Sequence, residues 1–141
     1  RRRAALCGAP VSMPVPKLVV AVAPVTDLET GHEMKLSDEG DAIPLYMRCL
    51  PDSEENIAKY RAASPQRALP SEVPVILAVG MEDTDVPASM VAGFHEKVLA
   101  AGGASSQLFT FDGADHYAPM DTATPEWAQI REAMDKHMAS T

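Results

Sequence analysis

The chain has 141 residues, 46% of them apolar, which suits one core-forming domain, and its longest apolar run, around residues 18–25, is strand-sized, which excludes a single-run membrane helix. Net charge is -8, and residues 1–17 carry Arg1, Arg2, Arg3 and Lys17 with no acid, leaving 8 basic against 20 acidic residues in the remainder; nucleic acid is excluded as a partner. Cys7 and Cys49 have no nearby Cys or His at ligand spacing, so neither a zinc site nor a disulfide framework is indicated.

In chain order, residues 1–16 read as the end of a helix stopped by Gly8 and Pro10, then a connector punctuated by Pro14 and Pro16. Residues 17–25, "KLVVAVAPV", form a valine-rich apolar run, the pattern of a strand covered on both faces in a parallel sheet. Residues 26–65 form a variable segment. Its part up to residue 51, with Gly31, Gly40 and Pro44, is expected to be loop with one or two short helices rather than core. Asp52 with Glu55 three residues on then predicts an N-capped helix over 53–62.

Residues 66–141 are expected to run strand, helix, strand, helix. "VPVILAVG" (73–80) repeats the buried-strand pattern and leads into "MEDTDVP", whose Pro87 suits the first position of a helix. Over 88–101, Val91, Phe94, Val98 and Ala101 make one apolar stripe, closed by Gly102 and Gly103. "SQLFTF" (106–111) alternates as a strand and turns at "DGAD". The last helix, 125–137, sets Trp127, Ile130, Met134 and Met138 on one face. This alternation predicts an α/β fold: a parallel sheet flanked by helices, with right-handed crossovers.

In such sheets functional groups gather beyond the carboxyl ends of the strands. Asp83 follows the second strand and His116 the third, so both open on one edge. A carboxylate that accepts from one imidazole nitrogen fixes the tautomer and frees the other nitrogen as a general base. Asp83 is the expected orienter, with Asp85 its competitor, and His116 the expected base. Asp27, after the first strand, either lines the same site or simply forms a turn. Glu82 is expected to face solvent. Adjacent residues such as Asp115 and His116 seldom chelate one ion, so no metal is expected. His95 and His137 on helices and His32 in the variable segment carry no assigned role.

The stretches "YRAASPQRALPSEVPVILAVGMEDTDVP", "GADHYAPMD" and "PEW" resemble the C-terminal half of α/β-hydrolases of the esterase and prolyl-oligopeptidase-like type, with kynurenine-formamidase-like and carboxylesterase-like members nearest in pattern. The spacing Gly80, Asp83, Val86, Pro87 matches that family's acid segment, and Gly113 to His116 its histidine segment. The resemblance runs from about residue 17 to 127. It implies that the three strands are strands six to eight of the fold, that Asp83 and His116 are acid and histidine of a triad, and that Tyr117 and Met120 border a pocket for a small-molecule or peptide substrate. It implies no cofactor.

The family's chain order requires an earlier Gly-x-Ser-x-Gly elbow. None occurs in the 141 residues, and Ser12, Ser53, Ser64, Ser71, Ser89, Ser105 and Ser106 all lack the strand-to-helix setting. The expectation is therefore a serine hydrolase of esters, amides or peptides whose nucleophile lies on upstream chain, so that this piece alone is inactive. Three unextended parallel strands would also leave a valine edge open, so a soluble monomeric 141-residue product would count against a truncated chain. Two alternatives stay open. One is a flavodoxin-like binding module or pseudo-enzyme, which the acidic, glycine-poor loops disfavour for nucleotides. The other is a dienelactone-hydrolase-like enzyme with an upstream cysteine, since Cys7 falls too late in its helix. No targeting signal is legible, which favours the cytoplasm, while oligomeric state stays open.

Overall fold

A computed structural model of the chain describes residues 14–37 and 40–140. The helix end expected within 1–16, with Cys7 and Ser12, lies outside the described residues apart from 14–16, which carry no regular element.

Three parallel strands form one sheet in the order β1 (Val19–Val22), β2 (Val75–Gly80), β3 (Ser106–Phe111). The first strand is shorter than the 17–25 run because Ala23 turns out with φ 44° and Pro24 has no amide hydrogen to donate; the ladder ends with Ala23 N–H bonding the Ala78 carbonyl at 2.7 Å. Strand β1 is also less covered than expected: Val20, Ala21 and Val22 are half-buried and Val19 is exposed. The double-sided burial predicted for both apolar runs is realised in the central strand β2.

The reason lies in its alternation. Leu77 and Val79 point to one face, where they meet Val91 of α4 (Ala88–Ala101) and Val86, with Phe94 packed alongside. Ile76 and Ala78 point to the other, against Ile130 of α5 (Pro125–Ala139), Phe111 and Ala114, with Trp127 and Met134 alongside. A strand sandwiched in this way must be apolar at every position, which is why its sequence shows no period of two. The α4 stripe carries Val91 and Val98 into the core, and Gly102 at φ 71° closes the helix. Helix α5 buries Ile130 and packs the partly buried Trp127 and Met134 beside it, on the expected face, but Met138 on its last turn is exposed. Pro87 sits one position before α4, as its N-cap.

The variable segment departs most from expectation. It holds α1 (Leu28–Glu33), α2 (Ala42–Met47) and α3 (Glu54–Ala63), and it has a core of its own: Leu28, Leu36, Ile43 and Tyr60 are buried together. A part expected to be loop rather than core is therefore a packed lobe. Helix α3 is capped by Ser53, whose Oγ accepts from Asn56 N–H at 3.3 Å, and not by Asp52, which instead accepts from the Asn56 side chain. At the base of the lobe, Ser64 Oγ accepts from Leu28 N–H at 2.9 Å and donates to the Tyr60 carbonyl at 2.8 Å. Beside it Gln66 N–H donates to the Thr26 carbonyl at 3.1 Å. No helix among the described residues is long and apolar enough to cross a membrane.

Candidate active site

Beyond Gly80 the chain leaves β2 in the turn 81–87. Asp83 closes that turn: its Oδ1 accepts from the backbone N–H of Asp85 at 2.9 Å and of Val86 at 2.7 Å. This is the local bonding that an Asp two and three residues before extended backbone favours. The side chain is fully buried, and its second oxygen, Oδ2, lies 2.8 Å from His116 Nδ1. Because a carboxylate only accepts, Nδ1 carries the proton and Nε2 is left as the basic nitrogen. The imidazole is 21% exposed.

His116 arrives from the other side through the loop after β3. Two contacts set that loop. The first is steric: an added β-carbon on Gly80 would stand 2.2 Å from the Ala114 carbonyl oxygen and 2.4 Å from that of Asp115, so only glycine lets the loop cross the end of β2. The second is polar: Asp115 Oδ1 accepts from Tyr117 N–H and Ala118 N–H, both at 2.9 Å, folding the chain sharply after the histidine. Glu82 N–H donates to the Ala114 carbonyl at 2.9 Å, joining the acid and histidine loops directly.

The exposed edge of this pair opens into a cleft of ≈ 560 Å³. Its walls are more apolar than polar: Ala23 and Val25 beyond β1, Leu28, Leu36, Ile43 and Tyr46 from the variable lobe, and Val86 from the acid loop, with Ser37 among them. Asp85 and His116 are the lining residues that bring chargeable groups.

Of the residues singled out from sequence, Asp83 and His116 come together. Asp85 lies at the rim, its Oδ2 4.0 Å from His116 Nδ1 and so beyond hydrogen-bond reach. Asp27 is committed elsewhere. Its Oδ1 caps α1 through Glu29 N–H at 3.1 Å, its Oδ2 accepts from the Gln66 side chain, and it lines a separate, smaller cavity with Thr30 and Lys97. Tyr117 stands edge-on to His116, ring centroids 5.2 Å apart, but is 68% exposed, and neither it nor Met120 lines the cleft. Glu82 is exposed.

Asp83, Asp85 and His116 form the one group of metal-type donors within 4.8 Å of one another among the described residues. Both Asp83 oxygens are already engaged, however, and Oδ2 faces Nδ1 at hydrogen-bond distance, an arrangement suited to a shared proton rather than to an ion between them. Sequence reasoning missed two contributors. The loop-setting role of Asp115 was signalled by its place two residues before Tyr117. The apolar wall from the variable lobe gave no periodic signal at all.

No curated protein sequence matches the chain. Among solved structures, a puromycin hydrolase is 30% identical with a TM-score of 0.60, over 75% of this chain and 16% of that one. Esterase Est2 of the planctomycete Thermogutta terrifontis is 20% identical with a TM-score of 0.62, over 88% of this chain and 42% of its own. An acylaminoacyl peptidase is 16% identical with a TM-score of 0.64, over 92% and 20%. The chain thus spans less than half the length of each of these proteins. They share the α/β-hydrolase fold, to which the three-stranded parallel sheet and its flanking helices also conform. Residues 15–138 match the model of the prolyl oligopeptidase family, and the chain is a member of that family.

Proposed function

We propose that this chain carries the acid and the histidine of a serine hydrolase acting on a carboxylic ester, amide or peptide bond. The observation that carries the reading is the 2.8 Å contact from His116 Nδ1 to an Asp83 carboxylate that is fully buried and held by two backbone N–H groups. In the proposed reaction His116 Nε2 takes the proton of a serine hydroxyl as its oxygen attacks the carbonyl carbon, and later returns that proton to the leaving group. Asp83 holds the imidazole in the required tautomer and stabilises the imidazolium. The apolar cleft beside them receives the acyl or leaving group.

The nucleophile belongs, in this reading, to a Gly-x-Ser-x-Gly elbow on chain preceding these 141 residues, which contain no such motif. Hydrolysis of p-nitrophenyl esters by the intact protein, with labelling by a fluorophosphonate, tests the reading. Labelling that requires His116 and resists iodoacetamide supports a serine hydrolase; labelling blocked by iodoacetamide points to cysteine. An intact protein that neither hydrolyses nor labels contradicts the proposal.

A further inference from the structure

One carboxylate in the cleft has no task in the chemistry just described. Asp85 is fixed at the backbone, where its N–H donates to Asp83 Oδ1 at 2.9 Å, while its side chain stands at the rim with 29% exposure. Among the described residues no hydrogen bond reaches that carboxylate, and its nearest ionic neighbour is His116 Nδ1 at 4.0 Å. The imidazole nitrogen is already bonded to Asp83. The rest of the cleft is lined mostly by apolar residues, with Ser37, Tyr46 and His116 the other polar ones, and no lysine or arginine lines it.

We propose that Asp85 makes this cleft selective for charge: it favours substrates that carry an ammonium group close to the scissile carbonyl, on an otherwise apolar acyl or leaving group, and it rejects those that carry a carboxylate there. The inference rests on the reading of the cleft as the substrate site. Its physics is simple. A cation entering beside Asp85 meets an anion in a partly desolvated setting with no lysine or arginine alongside, whereas an anion meets like charge at short range. The apolar walls supply affinity without regard to charge, so the discrimination falls on this one residue. Its neighbour Glu82, exposed on the same loop, carries the same charge but does not line the cleft, which makes it the natural control.

The test is calorimetric and needs no turnover. 3-Phenylpropylamine, 3-phenylpropanol and 3-phenylpropionate share an apolar body and differ in charge, and each is titrated into the intact protein. The amine is expected to bind more tightly than the carboxylate by roughly 3- to 10-fold, the alcohol falling between, as for a partly screened ion pair. Asp85→Asn is expected to remove most of that ratio, while Asp85→Glu and Glu82→Gln keep it. Equal binding of amine and carboxylate, absence of saturable binding, or a ratio that survives in Asp85→Asn would overturn the inference. The two readings separate cleanly: Asp85-dependent cation preference in a protein that never hydrolyses an ester sinks only the hydrolase reading, and hydrolysis without cation preference sinks only this one.

Discussion

Gly80 and Ala114 touch so closely that a β-carbon on residue 80 would stand 2.2 Å from the Ala114 carbonyl oxygen. The end of β2 and the loop that delivers His116 are therefore one rigid contact, backbone on backbone. Gly80→Ala cannot be absorbed by a side-chain rotation. It is expected to cost about 1–3 kcal/mol of stability, the usual range for overpacking. Because the displaced atoms belong to the histidine loop, activity should fall further than stability does. Urea unfolding beside kcat/KM measures both; a variant with unchanged kcat/KM would show that the loop does not need this crossing.

Asp83→Asn keeps the shape but offers His116 an amide that can favour the wrong tautomer. In the intact enzyme a fall in kcat on the order of 10⁴-fold is expected, with KM little changed. His116→Ala should cost a similar factor, and the double variant little more than either alone, because the pair acts as one unit. Additive losses would argue against a shared mechanism.

Asp115 tests positioning without touching the reacting atoms. Asp115→Ala loses the acceptor for Tyr117 N–H and Ala118 N–H, so the backbone after His116 is released. A decrease of kcat of roughly 10-fold or more is expected, since small misplacements are costly. Asp115→Asn, which retains an acceptor oxygen, should recover most of it. Failure of asparagine to recover activity would point to charge rather than to geometry.

Tyr60 reports on the variable lobe. Its fully buried hydroxyl donates to the Cys49 carbonyl at 2.7 Å, and burial first, then the nearby Cys49 and Asp52, pushes its phenol above the ordinary 10.0. A group raised in the folded state contributes stability that is intact below its unfolded value and lost as pH climbs through the folded one. Stability of the native protein should therefore fall with pH above 10.0 through this group, and Tyr60→Phe should lack that component. The same variant leaves the Cys49 carbonyl unpaired, at a cost of about 1–3 kcal/mol at neutral pH. Urea unfolding of both proteins on either side of that pH gives the comparison.

The acid–histidine pairing was legible because two local signals coincided: an apolar run at 73–80 and an alternating one at 106–111, both readable as strands and each followed by a polar turn on the same sheet edge. Gly80 could be marked by its spacing from Asp83, but not explained, since the atom it must avoid lies 34 residues on at Ala114. The cleft wall was illegible for another reason. Helices α1 and α2 are six residues each, under two turns, too short for a period of 3.6 to show. Leu28 of α1, Ile43 of α2 and Leu36 between them meet only through tertiary packing. Asp52 and Ser53 are both good caps; the extended backbone of Ser53, φ -142° and ψ 158°, gives it the role. Asp27 had two open readings, and its bond to Glu29 N–H accounts for the turn-forming one.

The hydrogen bond from Gln66 N–H to the Thr26 carbonyl, with Ser64 Oγ bridging Leu28 and Tyr60, brings the two ends of the variable lobe to a common root. Everything between them leaves and rejoins the sheet at neighbouring parallel strands. The partners that fix Asp83 and His116 come instead from residues 80–86 and 114–118. The lobe is thus separable from the pair: it supplies most of the cleft wall, yet it gives none of the hydrogen bonds that hold Asp83 and the loop of His116 in place.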